Sequence, residues 1–205
     1  MKLYSDHFFP WVLDKLMSRK EFMRRRKGLL HFAEGNILEI GLGTGLNLSE
    51  YPSNTKEIYA IDVNPGMNRY VRKRAQDSGI FIHHHVITAE KLPFEDEIFD
   101  TVVSTWTFCS IPDLHQALRE IHRVLKPNGK LIFIEHGLSR NPRIQWFQHK
   151  LTPLSKIFAC GCHLNRDMKE YISPQQFNIS SLKEFDMPTL SSFVAHAYQG
   201  VVTKK

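Results

Sequence analysis

The sequence predicts an α/β fold, a Rossmann-like, doubly wound, mostly parallel sheet of seven strands with helices on both faces. Three observations predict this class. Between residues 36 and 136, short apolar runs alternate with helical segments, the runs end in turn residues, and a glycine-rich loop follows the first run. Strand–helix alternation of this kind builds an open parallel sheet with right-handed crossovers. Two later strand-like runs predict an edge hairpin that contributes one antiparallel strand.

Each element is justified by its own pattern. Short apolar runs ending in turn residues predict buried strands over 36–41 and 57–62. Further strands are predicted over 80–87, 99–106 and 130–137. The glycine loop after the first strand leads into a helix-like segment. A helix is predicted over 66–79, closed by Gly79, and a second over 114–129, where the KPNG segment ends an amphipathic pattern. The edge hairpin is predicted from 180–187 and 193–204.

Two segments lie outside this core, within a single predicted domain that spans residues 1–205. Residues 4–33 predict one or two helices that cap the pocket, although an amphipathic helix on a membrane surface would look similar. Residues 138–175 predict an insertion that forms either core or a lid. Its helix places Ile144, Phe147, Leu151 and Leu154 at helical spacing, and Pro153 is expected to bend or end that helix.

Composition narrows the function classes. The net charge of +6 indicates either an anionic partner or simply a solvated basic face. Three cysteines do not make a disulfide framework, so we expect a reducing, cytoplasmic setting. No uncharged apolar run reaches about 18 residues, so no membrane span is expected. No metal site is predicted, because Cys160 and Cys162 lack a second ligand pair and only His83 and His85 share a strand face.

The loop Gly41-Leu-Gly43-Thr-Gly45 is the main functional signal. Glycines without Cβ atoms let a ligand pack directly on the backbone. The spacing is GxGxG, so it is not the GxGxxG dinucleotide fingerprint, and no Gly-Lys-Ser/Thr of a phosphate loop follows. Asp62 ends the second strand, where a carboxylate accepts ribose hydroxyls, and Glu39 offers an acceptor for an ammonium group. The pattern predicts a nucleoside ligand with a zwitterionic tail and no phosphate.

Five segments in order resemble the class I S-adenosylmethionine-dependent methyltransferases. They are LEIGLGTG (38–45), IDVNPGM (61–67), AEKLPF (89–94), FDTVVSTWTFCSIPD (99–113) and REIHRVLKPNGKLIFIEH (119–136). The resemblance implies S-adenosylmethionine as cofactor and assigns binding positions within these motifs. The implied cofactor-binding residues are Glu39, Gly41, Gly43, Gly45, Asp62, Asn64, Met67, Ala89, Glu90 and Thr105. Thr88 stands where many relatives have Asp, which departs from the family pattern at the adenine.

The chain after residue 134 is similar to the end of animal methyltransferase-like proteins that methylate alkyl thiols. The similar pieces are Glu135-His136, the GCHLNR element (161–166) and the closing HAYQG (196–200). The start and core also resemble bacterial phospholipid N-methyltransferases. Both resemblances imply a small-molecule or lipid-like methyl acceptor, a thiol or a head-group amine. Peripheral membrane contact through the N-terminal segment stays an open alternative to a purely cytoplasmic protein.

Two residues are predicted to take part in the chemistry. His136 ends the fifth strand on the ligand edge and suits proton acceptance, although it would equally serve by hydrogen-bonding loop backbone. Trp106 follows the fourth strand and either faces the sulfonium or forms a pocket wall. His163 and Arg166 either orient an acceptor or hold the insertion in place. Methyl transfer itself is an in-line displacement that depends mainly on alignment.

Two other functions compete with small-molecule methyl transfer. A nucleic-acid methyltransferase would suit the basic charge, but STWTFCSIPD (104–113) stands where base methylation uses an Asn/Asp-Pro-Pro-aromatic element. We therefore expect no nucleic-acid partner. A non-catalytic protein that only binds S-adenosylmethionine is the second alternative.

Overall fold

The computed structural model describes residues 4–172 and 176–205. The strands span Ile37–Ile40 (β1), Glu57–Ile61 (β2), Phe81–His85 (β3), Phe99–Thr105 (β4), Leu125–His136 (β5), Phe177–Asp186 (β6) and His196–Lys204 (β7). They form one sheet in the order β3-β2-β1-β4-β5-β7-β6. Strands β1 to β5 are parallel to one another, and β7 runs antiparallel to both β5 and β6. The predicted fold class is confirmed.

The helices surround this sheet. The α-helices of the described residues are Phe9–Met17 (α1), Lys20–Leu30 (α2), Asn68–Ser78 (α3), Leu114–Val124 (α4), Pro142–Phe158 (α5), Met168–Tyr171 (α6) and Ser192–Ala195 (α7). A π-helical turn at Tyr4–Phe8 precedes α1. Gly79 ends α3 in the left-handed conformation with φ 69°, which is the usual role of a glycine after a helix.

Hydrophobic side chains are buried on both faces of the sheet. Along β1, Leu38 and Ile40 pack with the core that includes Leu118 of α4, whereas Ile37 packs with the core that includes Leu29 of α2. Side chains alternate between the two faces of a strand. The strands therefore need apolar residues at nearly every position, which explains the short unbroken apolar runs in the sequence.

The segment between β1 and β2 differs from the expectation of a helix. Residues 43–50 form successive turns, with hydrogen bonds from the Gly45 amide to the Leu42 carbonyl and from the Leu48 amide to the Gly45 carbonyl. The glycines hold left-handed conformations, which do not extend into a right-handed helix. The helix-like interpretation of this segment was wrong.

The boundary between α4 and β5 also differs from the prediction. The helix ends at Val124, and Leu125 already pairs with Phe99 of β4. Asn128 takes a positive φ of 62°, so the KPNG segment makes an irregular turn within β5. The predicted helix over 114–129 was therefore too long, because pairing with β4 stabilises an extended Leu125.

The insertion helix α5 runs through Pro153 and ends at Phe158. It buries Gln148 and Thr152, whereas Phe147 and Leu154 of the predicted apolar stripe are exposed. Polar contacts with the body of the protein thus determine which face of α5 is buried. Residues 173–175, the end of the predicted insertion, lie outside the described residues. Within the described ranges, no helix combines the length and apolar character that crossing a bilayer requires.

Candidate active site

A cavity of about 460 Å³ lies at the carboxyl ends of the central parallel strands. Gly41, Asp62, Thr105 and His136, which end or follow β1, β2, β4 and β5, all border it. The chain crosses from one side of the sheet to the other between β1 and β4, and open α/β sheets bind ligands at such a switch point. The volume falls within the roughly 300–1,000 Å³ of small-molecule sites.

The three loop glycines serve different purposes. Gly41, Gly43 and Gly45 all have positive φ, between 55° and 80°. A Cβ on Gly41 would lie 2.1 Å from Thr107 Oγ1, and one on Gly45 would lie 3.1 Å from Leu48 Cδ1. A Cβ on Gly43 would meet, within 4 Å and among the described residues, just the Gly41 carbonyl oxygen at 3.9 Å. Gly41 is thus required for internal packing and Gly45 packs tightly against Leu48, whereas Gly43 presents bare backbone to the cavity.

Asp62 fixes the glycine loop to the end of β2. Its carboxylate accepts hydrogen bonds from the Gly43 amide at 2.7 Å and the Asn64 amide at 2.8 Å. Burial raises the pKa of Asp62, and these two amides partly offset that effect. Asp62, Asn64 and Met67 all border the cavity. The carboxylate therefore combines a structural contact with a place at the ligand edge, as the sequence predicts for a ribose-binding residue.

Glu39 lies beneath the loop and does not border the cavity. Its carboxylate accepts from Asn47 Nδ2 at 2.9 Å and from the Tyr51 hydroxyl at 2.7 Å. Burial raises its pKa to about 7, against the lowering effect of these hydrogen bonds. Asn47 does border the cavity and also donates to Thr105 Oγ1 at 3.1 Å. Sequence reasoning missed Asn47, whose only signal is its place after the third glycine.

Ala89 and Glu90, which the family resemblance also assigns to the cofactor, likewise lie outside the cavity lining. Ala89 is buried in the core that contains Leu38, and Glu90 Oε1 accepts from the Asp113 amide at 3.1 Å, at the start of α4. Gly45 is likewise absent from the lining. Of the ten predicted cofactor-binding residues, six border the cavity: Gly41, Gly43, Asp62, Asn64, Met67 and Thr105.

Trp106 borders the cavity in an unusual backbone conformation. Its φ is 52°, and its amide donates to the Ile134 carbonyl at 2.7 Å. The Arg26 guanidinium carbon lies 4.8 Å from the centroid of the indole ring, and the ring centroids of Phe22 and Trp106 are 5.0 Å apart in an edge-to-face arrangement. Positive φ in a bulky residue is rare and concentrates at functional sites. The ring is thereby held firmly as part of the cavity wall.

Arg26 is a cation of the cavity that sequence reasoning assigned only to a basic run. It is 4% exposed, and Nη1 donates to the Met17 carbonyl at 2.8 Å. Among the residues that the structure describes, none forms a hydrogen bond with its Nε. Burial lowers its pKa to about 10, so it remains protonated at neutral pH. A buried guanidinium with an unsatisfied N–H beside the glycine loop fits a carboxylate ligand.

His136 contacts a cysteine at the far side of the cavity. Its Nε2 lies 3.1 Å from Cys162 Sγ. Burial lowers the pKa of His136, but the Cys162 sulfur and the Glu135 carboxylate outweigh burial and raise that pKa to about 9. Contact with the Cys109 thiol and with His136 lowers the pKa of Cys162. These shifts favour a thiolate beside an imidazolium.

Arg166 and His163 hold the insertion against the body of the protein. Arg166 is buried and donates to the carbonyl oxygens of Phe108 and Ile111. The His163 amide donates to the Cys109 carbonyl at 2.8 Å. These contacts are to backbone, which matches the interpretation that both residues fix the insertion. Neither residue borders the cavity.

The flanking segments complete the cavity wall. Phe9, Leu13 and Met17 of α1 line one side, and Phe158 of α5 lines another. The Tyr4 hydroxyl donates to the Phe158 carbonyl at 2.6 Å, which joins the two segments. The remaining lining is mostly apolar, so the cavity has a polar cofactor edge and an apolar opposite side.

Comparisons with known proteins agree with this geometry. Residues 38–133 match the methyltransferase domain family. Thiol S-methyltransferase TMT1B of Rattus norvegicus is 30% identical over 185 residues, which cover 83% of this chain and 75% of the relative. The ubiquinone/menaquinone biosynthesis C-methyltransferase UbiE of Vibrio parahaemolyticus is 32% identical over 143 residues, covering 67% of this chain and 51% of the relative.

Solved structures share the fold. N-methyltransferase NodS of Bradyrhizobium japonicum, in complex with S-adenosyl-L-homocysteine, aligns with a TM-score of 0.71 at 17% identity, covering 98% of this chain and 94% of the other. A possible histamine N-methyltransferase of Thermotoga maritima aligns with a TM-score of 0.68 at 22% identity, covering 99% and 98%.

The sheet order, the glycine loop and the acidic residue after β2 define a class I methyltransferase, an enzyme that uses S-adenosylmethionine as its cofactor. Within that class, the chain belongs to the methyltransferase family that includes the thiol S-methyltransferases TMT1A and TMT1B.

Proposed function

We propose that this methyltransferase transfers the methyl group of S-adenosylmethionine to the sulfur of a small apolar thiol. One observation carries the choice of acceptor: the side of the cavity opposite the glycine loop combines apolar walls with His136 and Cys162. A polarisable, imidazole-containing end suits a sulfur nucleophile better than a charged substrate. The relatives named as thiol S-methyltransferases support the same acceptor class.

The cofactor would be held by residues along the glycine-loop edge. The ribose hydroxyls would bind the Asp62 carboxylate, with Asn64 and Met67 beside the nucleoside. The methionine part would lie on Gly43, where no Cβ intervenes. Its carboxylate would pair with Arg26, and Asn47 would stand between its ammonium group and Glu39. The cofactor supplies an electrophilic methyl group on a sulfonium sulfur.

The protein's own contribution is alignment and exclusion of water. Trp106 and the side chains of α1 would close the apolar wall around the reacting atoms. Correct alignment of nucleophile, methyl carbon and leaving sulfur is worth about 7–11 kcal/mol in favourable cases. A thiol also needs little help with its proton, since a pKa near about 8.5 leaves a few per cent thiolate at neutral pH. His136 would assist by lying next to the acceptor sulfur.

A lipid head-group amine is the second candidate acceptor. It is favoured by the apolar surface at the cavity mouth, where Phe8, Trp11, Ile157 and Phe158 are each at least 50% exposed. Such a surface suits contact with a bilayer, from which a lipid-like acceptor would enter. The expectation of no nucleic-acid partner stays a prediction. It is supported by Arg25 and Arg26, whose guanidinium groups pack on Phe185 and Trp106.

The test compares methyl acceptors whose alkyl chains have the same length. Formation of S-adenosylhomocysteine is measured with an alkyl thiol, the matching alkyl amine, and phosphatidylethanolamine in vesicles. We expect turnover with the thiol and recovery of its methyl thioether by mass spectrometry. Turnover only with the vesicles would select the head-group amine, and no turnover with any acceptor would contradict both candidates.

A further inference from the structure

Three metal-ligating side chains converge at one wall of the cavity. Cys109 lies in the 3-10 turn Phe108–Ser110, His136 ends β5, and Cys162 follows α5. Their ligand atoms, two sulfurs and one imidazole nitrogen, all lie within 4.8 Å of one another. The three residues come from separate parts of the chain, so the spacing of the cysteines does not predict that they lie together.

The separations suit a tetrahedral ion. With Zn–S near about 2.3 Å and Zn–N near about 2.0–2.1 Å, neighbouring ligand atoms lie roughly 3.5–3.8 Å apart. Here Nε2 of His136 is 3.1 Å from Cys162 Sγ, and the largest separation in the group does not exceed 4.8 Å. Small rotations of the side chains would therefore bring all three ligand atoms onto one ion.

Buried contacts hold two of the ligands in place. The side chain of Glu135 is fully buried, and its Oε2 accepts from the Cys109 amide at 3.1 Å. Its other oxygen, Oε1, accepts from the His136 amide at 2.9 Å. A single carboxylate thus ties together the backbones that carry a cysteine and a histidine. Such supporting contacts orient the ligands of metal sites in proteins.

The third ligand is held by the insertion. The loop that carries Cys162 closely approaches the Cys109 turn, because a Cβ on Gly161 would lie 3.0 Å from the Ser110 carbonyl oxygen. Arg166 donates to the Phe108 carbonyl and the His163 amide donates to the Cys109 carbonyl, both in the same turn. The arrangement of all three ligands is therefore set by the fold rather than by chance proximity of two thiols.

We propose that Cys109, His136 and Cys162 bind a thiophilic divalent cation of the zinc class. Thiolate and imidazole ligands favour Zn²⁺ over Mg²⁺ or Ca²⁺. Three protein ligands leave a fourth position, as in catalytic zinc sites. Because all three residues border the cavity, that position opens toward the methyl acceptor. The metal site stands on its own, and its link to catalysis rests on the proposed thiol acceptor.

The ion would activate the acceptor sulfur. An entering thiol would lose its proton to solvent and bind the fourth position as a thiolate. A lone pair on that sulfur would form the new bond to the methyl carbon. The bond from that carbon to the sulfonium sulfur would break, and its electron pair would stay on the cofactor sulfur. The neutral thioether product is a weaker ligand than the thiolate, so it would leave.

The test uses Co²⁺ alone as an optical probe of the full-length, reduced, chelator-treated protein. We expect one ion to bind per chain, with thiolate-to-cobalt charge-transfer bands and the intense visible bands of tetrahedral Co²⁺. C109S and C162S should each weaken binding at least about 100-fold and remove part of the charge-transfer intensity. C160S is the matched control, since Cys160 is exposed and outside the group, and it should bind as the wild type does.

Absence of thiolate bands in the wild type, or equal cobalt affinity in C109S, would overturn the proposal. Thermal unfolding guards against misfolded variants, because Zn²⁺ should raise the Tm of the wild type and C160S but not that of C162S. Calorimetric binding of S-adenosylmethionine to the metal-free protein is measured in parallel. Cofactor binding and methyl transfer at the full rate without any metal would refute the catalytic role of the ion and leave the proposed function intact. Metal binding without thiol methylation would support the metal site and refute the proposed function.

Discussion

Individual residues at the cofactor edge have separable effects, and Asp62 is the clearest case. Replacing Asp62 by Asn removes the charge that would accept the ribose hydroxyls. Hydrogen bonds to a charged acceptor contribute about 1.5–3 kcal/mol each, so we expect S-adenosylmethionine to bind about 100-fold more weakly. Isothermal calorimetry measures the change. Asp77→Asn, on the exposed side of α3, is the matched control, and an unchanged affinity in Asp62→Asn would refute the assignment.

Glu39 makes a prediction about pH. Burial raises its pKa from 4.5 to about 7 in the folded protein, so the folded state binds more protons than the unfolded state between these values. The free energy of unfolding should therefore fall as pH rises from about 4.5 to about 7. The expected contribution is about 3 kcal/mol, because each pKa unit corresponds to about 1.4 kcal/mol.

Glu39→Gln tests that contribution. Its free energy of unfolding, measured by urea denaturation across this pH range, should lose the downward slope relative to the wild type. Glu170→Gln, at an exposed position in α6, should keep the slope. Equal slopes in the wild type and Glu39→Gln would show that the buried carboxylate does not titrate as described.

Among the structural elements, the glycine loop contains one glycine needed for stability and another needed for cofactor binding. Gly41→Ala should cost more than 2 kcal/mol, since its Cβ would overlap Thr107 in addition to the strain of about 1–2 kcal/mol at positive φ. Gly43→Ala should carry only the strain, yet weaken cofactor binding, because its Cβ would occupy the space for the methionine part.

Urea denaturation and calorimetry together distinguish the two glycine variants. Gly28→Ala in α2 is the control, because its added Cβ would meet no described atom within 4 Å apart from those of its chain neighbours and the backbone of its own helix. It should stabilise the protein by about 0.5–1 kcal/mol. A Gly43→Ala protein that binds S-adenosylmethionine normally would contradict the proposed position of the cofactor.

The insertion depends on Arg166. Arg166→Met removes donors to three carbonyls, those of Phe108, Ile111 and Pro112. Leaving such groups buried and unsatisfied should cost about 3 kcal/mol of unfolding free energy. Arg143→Met, at an exposed position of α5, should change stability by less than about 0.5 kcal/mol. A comparably small effect of Arg166→Met would show that the turn carrying Cys109 is held by other contacts.

Elements with local signals could be predicted from the sequence, and elements formed by distant contacts could not. The buried strands and the glycine loop follow from apolar runs and spacing over a few residues. The buried face of α5 could not be predicted in this way, because Gln148 is buried through hydrogen bonds to the distant Gly137 and Phe193 carbonyls. The grouping of Cys109 with His136 and Cys162 likewise depends on three separate chain segments meeting in space.

At the scale of the whole molecule, the exposed aromatic residues at the cavity mouth predict binding to a membrane surface. The turn before α1 and the end of α5 meet there and expose Phe8 and Phe158. Phe8→Ser should reduce binding to phospholipid vesicles about tenfold, since burying an aromatic side chain contributes about 1.5–3 kcal/mol. Sedimentation with vesicles measures this. Phe32→Ser is the control, because Phe32 is also an exposed phenylalanine but precedes β1, away from the cavity mouth. It should have no effect, and equal binding by both variants would refute the proposed membrane-binding surface.

The central claim is that a sulfur acceptor receives the methyl group in the cavity between the glycine loop and His136. The most direct measurement is the rate of S-adenosylhomocysteine formation by the purified protein with an alkyl thiol and with its matching amine. The account predicts turnover with the thiol, a methyl thioether of the expected mass, and little turnover with the amine. Turnover with the amine alone, or saturable cofactor binding without any thiol methylation, would contradict it.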